Sequence, residues 1–86
     1  MIINKNIIVF ANRTIKRARI GNDIKHIGSY AFNNCTNLCE VEFVQNSKLE
    51  SIGINSFACS SIKSISIPKS VFRISLQAFY HCDKLK

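Results

Sequence analysis

Chain breakers are scarce in this sequence. Glycine occurs three times and proline once in 86 residues. With 47% of the residues hydrophobic, that composition excludes disorder. Long apolar runs are missing too. The longest, IIVFA at residues 7–11, falls far short of the roughly 18 residues that span a bilayer. It is also too short for a signal-peptide core, and no small-residue cleavage site follows it. The default localisation is therefore intracellular, unless the chain was cut from a longer secreted parent. There is no CxxC spacing and no ligand set for zinc, so no metal or other cofactor is expected. Histidine occurs only at 26 and 81. Nucleophilic catalysis needs a Cys or Ser beside an oriented base. His81 adjoins Cys82, but neighbours in a turn point apart, so no catalytic residue is named and an enzyme is not expected. Acidic residues are few, five against twelve Lys and Arg, leaving a formal charge of +7. That excess points to an anionic partner such as nucleic acid, glycan or a membrane surface, although surface charge also serves solubility.

At this length the chain holds one domain with a modest core. What it does contain is repetition. AFNNCTNL at 31–38 returns as AFYHCDKL at 78–85, and residues 15–32 lie over 62–79 without a gap. A middle copy carries Ile52, Phe57, Cys59, Ile62, Ile65 and Ile67. The landmark phenylalanines fall at 32, 57 and 79, steps of 25 and 22. A further step of 22 back reaches Phe10, a worn copy. Each unit opens with apolar positions such as Leu38, Val41 and Phe43, or Ile62, Ile65 and Ile67. They end in the period of two that marks a half-buried strand. Turn-like GND, QNSK and PKS follow. A unit of this size cannot bury its own apolar face, so like units stack and each position covers its copy in the next layer. Phe32, Phe57 and Phe79 are expected to form one column, and Cys35, Cys59 and Cys82 another.

The phrases HIGSYAFNNCTNLCEVEF, SIGINSFACSSIKSISIP and RISLQAFYHCDKL resemble the BspA-like leucine-rich repeats of bacterial and protist surface proteins. The resemblance covers roughly residues 15–86. Departures are Gly21 and Val44 in place of the proline, and a middle phrase, Ser56-Phe57-Ala58-Cys59, one residue short. The resemblance implies a right-handed, β-rich repeat solenoid of about three to four units. It would have parallel strands and short helical or irregular connections. It also implies binding to other proteins or surfaces, a cell-surface location and no catalytic residues.

Stacked in register, the spacer positions line one open face: Arg17 and Arg19, then Glu40 and Glu42, then Ser64 and Ser66. The first two pairs are 23 residues apart, so Arg17 should lie beside Glu40 and Arg19 beside Glu42. This face is the expected contact surface for a protein partner whose identity the sequence leaves open. The alternative is a basic polyanion-binding module for a heparin-like glycan or nucleic acid, drawing on KRAR at 16–19. That alternative is the weaker one, because KRAR is neutralised by its neighbour and the other basic residues form no stripe. A non-functional remnant of a repeat array is a third reading. The cysteines read as buried free thiols filling a small apolar slot. Cys39 stands outside their ladder, as the candidate reactive thiol. Asn12-Arg13-Thr14 and Asn34-Cys35-Thr36 fit the glycosylation pattern by coincidence unless the parent is secreted. Residues 1–14 read as a degenerate repeat or cap, in which Ile2, Ile3, Ile7 and Val9 fold over the first layer. Residues 15–86 read as the repeats proper, broken off at the C-terminus. There the layer of Phe79, Cys82 and Leu85 would face water beside an edge strand at 62–67. Either the chain is a fragment of a longer array, the favoured reading, or that end is open to self-association.

Overall fold

A computed structural model describes residues 2–85; Lys86, the last residue of the expected array, lies outside them. The strands are β1 (Ile2–Asn4), β2 (Ile7–Phe10), β3 (Arg17–Ile20), β4 (His26–Ile27), β5 (Glu40–Phe43), β6 (Ser51–Ile52) and β7 (Arg73–Ile74). They form two open sheets, one of order β1-β2-β4-β6-β7 and one of β3-β5. Every pairing is parallel except the antiparallel β1-β2 hairpin. One buried cluster draws on both sheets: Ile8, Ile27 and Ile52 from the first, Ala18, Ile20 and Val41 from the second. The β-branched residues sit on the inward side of pleated strands, where their stiff side chains pack well.

The connections contain no helix among the described residues, so the short helical links that the resemblance allows are replaced by turns. The repeated phrase is a chain of turns with two left-handed residues per layer. The first sits at Tyr30, Asn55 and Gln77, and the second four residues on at Asn34, Cys59 and His81. Amides three residues apart close these turns, as in Ala31 to the Gly28 carbonyl and Asn33 to that of Tyr30. This fixed pattern carries the aromatic column as expected. Phe32 and Phe57 stack at 5.0 Å between centroids, and Phe57 and Phe79 at 5.5 Å.

The cysteine column is a correction. Cys59 takes the left-handed position of Asn34 and His81, and Ser60 stands in the slot of Cys35 and Cys82. Ser60 Oγ lies 3.3 Å from Cys82 Sγ. The missing residue of the middle unit is therefore lost after the slot, where Ser60-Ser61-Ile62 spans what Cys35-Thr36-Asn37-Leu38 spans one layer before. Turn geometry, not cysteine identity, sets the alignment.

Two further expectations are corrected. At the N-terminus Ile8 enters the core, while Ile3 and Val9 are exposed and Ile7 is half-buried. Alternation along β2 allows only one of each neighbouring pair to point inward. Phe10, the worn landmark, does not hold the phenylalanine place of its layer. Ala11 donates its N–H to Ala31 as Phe32 does to Ser56 and Phe57 to Ala78, so Ala11 holds that place. At the other end, residues 62–67 pair in no ladder. Ser61 N–H reaches the Leu38 carbonyl at 2.8 Å, but the bond that should close the far end is absent. Val44 closes β5 onto β3 with its N–H on the Ile20 carbonyl. Pro68 holds the matching position one unit later and has no N–H to give.

Candidate interaction face

β3 and β5 position the site. Their register pairs Arg17 with Glu40, Ala18 with Val41, Arg19 with Glu42 and Ile20 with Phe43. Ala18, Ile20 and Val41 are buried, so strand alternation turns both arginines and both glutamates outward. Arg17 Nε lies 3.5 Å from Glu40 Oε2, and Arg19 Nε 3.4 Å from Glu42 Oε1. These are the two ion pairs the spacing predicts. Both are open to water, with arginine side chains 81% and 72% exposed, which limits each to about 0.2–1 kcal/mol.

A groove of ≈ 490 Å³ lies between the two ion-paired rows, with Ala18 at its floor. A second, of ≈ 250 Å³, separates β5 from residues 64–66 and is lined by Glu40, Glu42, Ser64 and Ser66 together with Cys39. All six residues expected on the face thus lie on one surface. The serines border it across a gap that sequence reasoning replaced with a ladder. Lys16 and Lys63, which precede the first and third rungs, are exposed beside it.

The thiols divide by position. No disulfide forms. Cys35 and Cys82 are buried and Cys59 is half-exposed, while Cys39 is exposed on the face. Cys82 Sγ donates to the Phe57 carbonyl at 3.0 Å. Burial pushes the Cys35 thiol up, against the weaker opposite pull of the Arg13 guanidinium. That guanidinium sits 4.7 Å from the centre of the Phe10 ring. His81 Nδ1 lies 3.7 Å from Asp83 Oδ1. Among the glycosylation-like triplets, Asn12 Oδ1 accepts from both Thr14 N–H and Thr14 Oγ1. Asn34 is exposed at its left-handed turn and not within the packed phrase.

One contact escaped the sequence reading. His26 Nδ1 and Ser51 Oγ lie 2.7 Å apart across β4 and β6. The signal was available, since both residues hold the same place in successive units. Among the described residues no group of three or more His, Cys, Asp or Glu could hold a metal ion, and no helix is long and apolar enough to cross a membrane.

The basic residues give the polyanion alternative no support. The two arginines each face a carboxylate, which would repel the dense charge of a nucleic acid or sulfated glycan. Residues 2–86 match the family model described as BspA type leucine rich repeat region (6 copies). No curated protein and no solved structure matches the chain.

Proposed function

Since the chain belongs to the BspA-type leucine-rich repeat family, we propose that it is a non-enzymatic scaffold that binds another protein. The contact surface in this reading is the open face of Arg17, Arg19, Glu40, Glu42, Ser64 and Ser66. The observation that carries it is the register of β3 on β5, which sets charged side chains in two rows over a buried apolar floor. Three parallel rungs of aligned isoleucines and a ring stack at 5.0 and 5.5 Å support a short solenoid, whose right hand follows from the family by analogy. In such an array the spacer positions form one continuous strip. A cell-surface location follows from the family by analogy alone.

Cys82 is buried and Phe79 and Leu85 are half-buried against the core, which corrects the expectation that their layer faces water. The exposed apolar layer is that of Phe72, Ile74 and Leu76, and it supports a second mode of association. Phe72 is 73% and Leu76 79% exposed, and Ile74, the counterpart of buried Ile27 and Ile52, is half-exposed. In the 86-residue chain these residues favour self-association.

Selection from an unbiased displayed-peptide library against the whole 86-residue chain tests the contact face. Peptides so obtained should lose binding to a Ser64→Trp, Ser66→Trp double variant, which fills the face. They should keep it for Lys5→Trp in the turn between β1 and β2, on the other sheet. Peptides indifferent to the double variant would overturn the reading.

A further inference from the structure

The ion-paired rows also carry information about the partner. In both pairs the closest approach to the glutamate runs through Nε, at 3.5 and 3.4 Å. A guanidinium has five N–H donors in a planar fork. An approach through Nε leaves the outer edge, with its terminal amino groups, in solvent. The glutamates therefore lie on the Nε side of the two forks, with a groove between the pairs. Arg17 and Arg19 alternate along β3, so their stems rise about 6.6 Å apart, the repeat of alternate residues in a parallel strand. Side chains at alternate positions of any extended chain have nearly the same spacing.

Charge decides the sign of the partner. On and beside this face stand four cations, Lys16, Arg17, Arg19 and Lys63, against two carboxylates, Glu40 and Glu42. The whole chain is basic by +7. We propose that the face is specific for an extended acidic segment of a protein, with two carboxylates at alternate positions seated on the outer forks of Arg17 and Arg19. The inference rests on the protein-binding reading above and deepens it. A long polyanion is the weaker match, because its charge runs on past the two forks and meets Glu40 and Glu42 as well. Discrete carboxylates one strand-repeat apart meet only the forks.

The test uses the peptides selected against the whole chain, together with two synthetic probes of equal charge. One octapeptide carries glutamates at alternate positions, and the other carries them as a contiguous block. Binding is read by fluorescence anisotropy at two salt concentrations. The alternating probe should bind, and an Arg17→Gln, Arg19→Gln double variant should weaken it about tenfold. A Lys48→Gln, Lys84→Gln variant loses the same charge elsewhere and should leave binding within about twofold. Glu42→Gln should hold or raise affinity, since it removes a competitor for the Arg19 fork. Circular dichroism confirms that each exposed substitution leaves the fold intact. Equal loss in the two double variants, equal binding of the block probe, or heparin binding that outcompetes the alternating probe would overturn the inference. So would no binding at all. Selected peptides that lack acidic residues yet depend on Ser64 and Ser66 would sink this inference alone and leave the protein-binding reading standing.

Discussion

Ser56 replaces the alanine that stands at Ala31 and Ala78, and its hydroxyl is fully buried without a hydrogen-bond partner. A buried polar group left unpaired costs about 1–3 kcal/mol. Ser56→Ala should therefore raise the free energy of unfolding by about 1 kcal/mol, read as a higher urea midpoint with an unchanged slope. An unchanged midpoint would mean that the hydroxyl is satisfied in solution. The thiols make a second test at this scale. Cys39 should alkylate first at neutral pH, with Cys35 and Cys82 protected until the chain unfolds. Cys35 also sets a sign for pH dependence. Its folded pKa is raised, so the unfolded thiol ionises first. The stability linked to it is present below the ordinary thiol range and is lost as pH rises through the folded value. Denaturant midpoints measured across the alkaline range for the parent chain and Cys35→Ala should diverge in that direction.

Among the elements, the residues that follow β4 and β6 approach closely. An added Cβ at Gly53 would sit 2.7 Å from Ser29 N and 2.9 Å from the Ile27 carbonyl oxygen, both backbone atoms that cannot swing aside. Gly53→Ala should therefore destabilise the fold by about 1–3 kcal/mol, the usual range for overpacking. Ser75 carries a Cβ at the equivalent place, but it follows β7, whose two residues are exposed. A thermal midpoint within a degree of the parent chain would show that β6 can shift to admit the added Cβ. The third rung of the face illustrates what pattern alone misses. Ile62, Ile65 and Ile67 have the alternation of a strand and pack on the core, yet no ladder forms. Apolar period reports which side is buried. It does not report whether the N–H groups find carbonyls, and Pro68 removes one such donor.

For the whole molecule, the layer of Phe72, Ile74 and Leu76 leaves the core open on one side. Apolar surface in contact with water favours association. Light scattering of the 86-residue chain should give a mass that climbs with concentration, and Leu76→Lys should hold it at the monomer value. A concentration-independent mass for the parent chain would rule out self-association by this layer.

The sequence by itself determined the repeat, the aromatic column, the inward isoleucines and the pairing of Arg17 with Glu40 and Arg19 with Glu42. Periodicity carries these features, because a stacked array forces each position against its own copy. Tertiary structure alone decided the rest. Cys59 turned out of its column and Ser60 turned in because a left-handed turn position outranks residue identity. Ala11 replaced Phe10 because backbone hydrogen bonds, not the count of residues, align the worn layer. The gap beside Ser64 and Ser66 ends at Pro68, which has no N–H for the bond that Val44 makes one unit earlier. Each of these depends on which backbone groups meet across layers, a relation between distant residues that no single unit of the sequence contains.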